Sequence, residues 1–194
     1  MESVHGVLRM AAHGRAEAHK LWTTLQSEHT RFVDVIRILP LEHAHMQEDM
    51  RRYLCLRCAG FLEQVVYEIL TEYLRQKCGG GGPILEFSLS FFTRSPNLTP
   101  EAFEKLLARF GQDHIERFRD FMTGSTRESL EHLMSVRNPV AHGQYMGGVK
   151  LDPARYMELC QSVYDWMLAE FLGNSVEVLA NDGMTIVAYE NVVS

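Results

Sequence analysis

The sequence predicts an all-α bundle with a short C-terminal β-hairpin, and three observations carry that prediction. Apolar residues recur at steps of three, four and seven through most of the chain, the period of a helix with one buried face. Thr99-Pro100 and Asp152-Pro153 each pair a capping residue with a Pro at the first helical position, which opens a helix. Only after Gly173 does the pattern turn to period two, with Asn181-Asp182-Gly183 between apolar runs, a strong hairpin signal.

The first helix is predicted from Ala16 to Leu39, with Trp22, Leu25, Phe32, Ile36 and Leu39 on its apolar side and Pro40 as its stop. The first fifteen residues are left as a flexible lead. A longer helix follows from Gln47 to Lys77, free of Pro, with Leu54, Cys58, Leu62, Val65, Ile69 and Tyr73 along one stripe. Gly79 to Gly82 and Pro83 stop it. The stretch up to Pro100, including the apolar run Ile84 to Phe92, carries no clear period.

Thr99 then caps a short helix with Phe103, Leu106, Leu107 and Phe110, and Ile115, Phe118 and Met122 mark the next. A helix from Thr126 to Arg137 buries Leu130, Leu133 and Met134. The last, after Asp152, buries Tyr156, Cys160, Val163, Met167 and Phe171. The division expected is one helical domain over residues 1–172 and a hairpin appendage over 173–194.

At 194 residues the chain is one domain's worth, with 46% hydrophobic and 23% charged residues, an ordinary globular composition. Its net charge of -6 argues against a general, salt-driven binder of long nucleic acid, although a small local basic site is compatible with it. Four Cys and an N-terminus without an apolar signal core fit a reduced compartment, and no apolar run is long enough to span a membrane. The expected address is the cytoplasm.

Two motifs read as structural. The four glycines follow a helix and precede Pro-Ile-Leu, whereas a phosphate-binding loop follows a strand and ends in Gly-Lys-Ser/Thr. They read as a helix stop. Cys55-Leu56-Arg57-Cys58 has His43 and His45 upstream, yet both thiols fall mid-helix on or beside the apolar stripe, and no second ligand pair follows at finger-like spacing. They read as core.

The informative segment is Leu133 to Gly143. Arg137 follows Leu130 by seven and Leu133 by four, so the core-facing stripe carries a guanidinium inward, where it needs an anion or a carboxylate. Pro139 is expected to end or kink the helix at Asn138. In an unbroken helix residues five apart point about 140° away from one another, so this break is what would let Arg137 and His142 converge. An anion-binding Arg, a polar Asn and a titratable His are the parts of phosphate-ester chemistry. A buried ion pair and a helix-capping His would leave the same letters.

Arg137-Asn138-x-x-Ala141-His142-Gly143 resembles the signature of the HEPN superfamily, compact all-α domains of RNase toxins and phage-defence effectors, and most of all its RiboL-PSP and MAE-type branch. The Tyr53 to Tyr73 helix with Phe61-Leu62-Glu63, and Asn97 to Phe110, sit where that branch has comparable elements, so the resemblance covers about residues 45 to 171. It implies an endoribonuclease, a toxin or anti-phage effector, that cleaves RNA by 2′-OH attack with neither metal nor cofactor. Arg137 would neutralise the scissile phosphate, His142 would transfer the proton, Asn138 would support them and Glu63 would orient Arg137.

In-line transfer needs a base and an acid on opposite sides of phosphorus, and each chain has one such His. Two copies about a twofold axis would supply both, so a homodimer with a shared cleft is expected, held in check by an antitoxin or other regulatory protein. The alternatives are a non-catalytic HEPN interaction module and a nucleotide-sensing domain.

Overall fold

The computed structural model describes residues 2–90, 97–144, 149–179 and 185–190, with side chains from residue 14 to residue 173 within those spans. Among the described residues up to Leu172 the chain is all-α, with seven helices and one 3-10 turn. α1 spans Glu2–Ile38, α2 Ala44–Lys77, α3 Pro83–Ser90, α4 Pro100–Leu107, α5 Gln112–Phe121, α6 Gly124–Ala141 and α7 Pro153–Leu172. Beyond them, Asn174–Leu179 and Thr185–Glu190 are strands paired antiparallel, with Asn174 opposite Glu190. The turn residues Asn181, Asp182 and Gly183 lie outside the described residues.

α2 is the axis of the bundle, and its buried side chains run from Leu54 to Glu72. α1 and α7 pack along it, and α6 packs on both α2 and α7. Aromatic contacts seal the seams. Trp22 of α1 stacks on Tyr164 of α7 at 5.7 Å, and Phe61 of α2 meets both rings. Cys55, Cys58 and Cys160 are fully buried free thiols in this core. Burial, with the neighbouring Cys58 thiol adding to it, pushes Cys55 up to about 12.

Three expectations are corrected. The first helix begins at Glu2, not at Ala16, so residues 2–15 have helical backbone. No Pro interrupts the chain before Pro40, and Gly14 is held by packing: a Cβ there would lie 2.3 Å from Cγ of Glu72. The stretch after the glycines holds an eight-residue helix, α3, with Leu85 buried. α6 neither begins at Thr126 nor ends at Asn138, but runs from Gly124 through Pro139 to Ala141.

Pro139 is tolerated because it falls in the last turn. It withholds one N–H from the carbonyl of Ser135, an exposed residue that solvent can serve. The helix end is then closed by other bonds. Gln144 N–H donates to Pro139 O at 2.9 Å and Gly143 N–H to Val140 O at 3.1 Å, with Gly143 at φ +65°. This is the Schellman arrangement, in which the left-handed residue after the cap satisfies the last carbonyls. The tetraglycine closes α2 in the same way, Gly80 N–H donating to Arg75 O and Gly79 N–H to Gln76 O.

Candidate functional site

Arg137 lies where α6 crosses α2. Its Nη2 is 2.9 Å from Oε1 of Glu63 and donates a hydrogen bond to Oε2 at 3.2 Å. Nη1 donates to Oδ1 of Asn138 at 3.3 Å. The Glu63 side chain is 10% exposed and that of Arg137 31%, so the carboxylate is the buried partner and the guanidinium reaches solvent past it. The inward Arg expected from the stripe thus finds a carboxylate on the neighbouring helix. A planar fork suits that carboxylate and leaves N–H groups directed elsewhere.

His142 is the C-cap of α6, and its N–H donates to Asn138 O at 3.1 Å. It is exposed, as is Asn138. Because the helix continues through Pro139, the break that was to bring Arg137 and His142 together is absent. At about 100° per residue the two point about 140° apart, Arg137 toward α2 and His142 toward solvent. One chain therefore does not gather them into one enclosed pocket. Gly143 is accounted for by the helix closure, so this part of the motif has a structural reason of its own.

A second polar cluster lies nearer the C-terminal end of α2. Nε2 of His114 is 3.4 Å from the hydroxyl of Tyr73, and its Nδ1 bonds the carboxylate of Glu170. Arg117 Nε donates to both oxygens of Glu170, at 2.8 and 2.9 Å. His114 also stacks on Phe171 at 4.7 Å. Burial raises the Tyr73 phenol, Glu170 adds to the shift and Arg117 opposes it. The cluster pins α5 to α2 and α7. Its members are 41 and 56 residues apart, so no local spacing announces it.

His132 likewise serves the core, its Nδ1 lying 2.8 Å from the hydroxyl of the buried Tyr156. Among the described residues no group of three or more His, Cys, Asp or Glu side chains is placed to hold a metal ion. Among them also, no helix is long and apolar enough to cross a membrane.

Comparison with known proteins assigns nothing further to this arrangement: no family model, curated protein or solved structure matches the chain.

Proposed function

We propose that the chain is a metal-independent endoribonuclease of HEPN type that acts as a homodimer with a composite site. The observation that carries the reading is Arg137 itself, a guanidinium held by a buried carboxylate on the neighbouring helix with its remaining face open to solvent. Glu63 orients it, and the free N–H groups can meet the non-bridging oxygens of a phosphodiester. His142 stands exposed five residues further on, at the end of the same helix.

Each copy offers one exposed His at this helix end, so the reading takes two copies to supply both a base and an acid. In the proposed reaction His142 of one copy removes the proton from the ribose 2′-OH, and the 2′-oxygen attacks phosphorus. The bond to the 5′-oxygen breaks, and the leaving oxygen takes a proton from the protonated His142 of the partner subunit. The products are a 2′,3′-cyclic phosphate and a 5′-hydroxyl. Arg137 neutralises charge on the phosphorane, and Asn138 steadies it through the 3.3 Å bond. The activity fits a cytoplasmic toxin or defence effector restrained by a protein partner.

The test is RNA cleavage in EDTA. The protein is expected to leave cyclic-phosphate ends, and both Arg137→Ala and His142→Ala to abolish cleavage with the fold intact. Full activity in both variants overturns the proposal. A second reading draws on the same ion pair: in a non-catalytic module Arg137 and Glu63 only fasten α6 to α2. The wild-type protein then gives no RNA product, while Arg137→Ala costs stability under either reading. In a nucleotide-sensing domain, nucleotides raise the melting temperature without cleavage.

A further inference from the structure

Between α1 and α2, apart from the ion pair of Glu63 and Arg137, lies a cleft of about 160 Å3. Its floor is apolar, formed by the buried Leu25 and Phe61 with the half-buried Leu21 beside them. Its rim is polar, with Lys20 and Thr24 from α1 and Gln64 from α2. Sites for drug-sized ligands take about 300–1,000 Å3, so this cleft has room for a single flat ring and not for a larger body.

The rim decides what kind of ring. Two cations border the cleft, and each has its own carboxylate: Glu17 is 3.9 Å from Lys20, and Glu28 is 2.6 Å from Arg57. The balance suits an uncharged ligand and not a free anion, which would find both cations already paired. Thr24 donates its hydroxyl proton to Lys20 O at 2.8 Å, so toward the cleft it offers an acceptor. Gln64 is exposed, and among the described residues its amide has no hydrogen-bond partner. That amide carries two donors and an acceptor. A flat ring that takes apolar contact on its face and offers donors and acceptors along its edge is an unpaired nucleobase.

Glu63, which holds Arg137, and Gln64 are consecutive residues of α2. The guanidinium and the cleft therefore flank one turn of that helix, about 100° apart around its axis. A strand of RNA crossing that turn with a phosphate at Arg137 brings a neighbouring base to the cleft.

We infer that the cleft between α1 and α2 takes an unpaired base next to the scissile phosphate, with Leu21 and Phe61 under the ring and Gln64 reading its edge. Gln64 is then the residue that sets base specificity. This rests on the nuclease reading of Arg137 and gives that site a sequence preference.

The test uses the full chain and a set of short single-stranded RNAs that differ only in the two bases flanking the cleaved bond. The wild type is expected to favour one base over the least favoured by at least about tenfold in kcat/KM, the discrimination a hydrogen-bonded edge supplies. Gln64→Ala, at an exposed position, should level that ratio without moving the melting temperature. Thr24→Trp, also at an exposed position, lays a ring over the cleft and should raise KM for the favoured RNA at least about tenfold, the loss of one good base contact. A wild type indifferent to the flanking bases overturns the inference, as does a preference that survives both variants. If the protein cleaves no RNA, the nuclease reading fails and binding of the same RNAs judges the cleft alone. Affinities that differ by base in the wild type and not in Gln64→Ala then leave the cleft standing, and RNAs that bind alike or not at all overturn it.

Discussion

Arg137 of α6 reaches Glu63 of α2 across 74 residues of sequence, nitrogen to oxygen 2.9 Å, and the two are unequally buried. Removing the cation strands a carboxylate that is 10% exposed, whereas neutralising the carboxylate leaves a guanidinium already in contact with water. The variants should therefore differ. Arg137→Ala is expected to cost about 1–3 kcal/mol, the penalty of an unpaired buried group, and Glu63→Gln less. Urea unfolding of both variants, and of the double variant Arg137→Met/Glu63→Leu, measures the difference. Equal losses would show that the pair is screened and contributes no orientation.

His142 and Gly143 sit side by side at the helix end with different duties. His142 is exposed and caps α6 through its backbone, so His142→Ala should change stability by less than about 0.5 kcal/mol. Gly143 holds φ +65° with no steric crowding, so Gly143→Ala should cost about 1 kcal/mol from backbone strain alone. Thermal melts separate the two. A large loss on His142→Ala would mean that any loss of cleavage in that variant is a folding effect.

Gly14 is needed for space. A Cβ there would come within 2.3 Å of Cγ and 2.5 Å of Cβ of Glu72, which is itself 1% exposed and bound by Arg75 at 2.9 Å. Gly14→Ala should force α1 and α2 apart and lower the melting temperature, at about 2–4 °C per kcal/mol in a chain of this size. An unchanged melting temperature would show that the start of α1 contributes little to the bundle.

Stability should be greatest between pH 7 and 9. On the alkaline side, burial raises the Cys55 thiol to about 12 and raises Tyr73, Tyr156 and Tyr164. The unfolded chain loses these protons first, so the native state binds more protons and stability falls as pH rises above about 9. On the acid side, burial holds His29 below its ordinary 6.5. The unfolded chain takes up that proton first, and stability is lost as pH falls below 6.5. Melting curves from pH 5 to 11 check both limbs. Cys55→Ala should flatten the alkaline one and His29→Leu the acid one; limbs unchanged in both variants would refute the assignment.

Much of the bundle is legible in local pattern. The stripe of α2, the Thr99 and Asp152 caps and the glycine stop all appear where composition and period place them, because each depends on residues within a few positions of itself. Thr99 accepts from Ala102 N–H at 3.2 Å, and Asp152 from Arg155 N–H at 3.2 Å. Pro139 misleads the same reasoning. Its effect on a helix depends on how many turns follow and on whether other bonds close the end, and Gly143 and Gln144 close it.

The inward direction of Arg137 is a property of spacing, and the letters alone carry it. The identity of its partner is not, since Glu63 is one of several carboxylates on α2 and only the crossing of α6 over α2 selects it. Nor does spacing say that His142 diverges from Arg137, that Tyr73, His114 and Glu170 meet, or that Gln64 borders a cleft against α1. Helices form from interactions a few residues long, and those are written along the chain. Which faces of two helices meet is decided by the packing of the whole core, and that is written only in three dimensions.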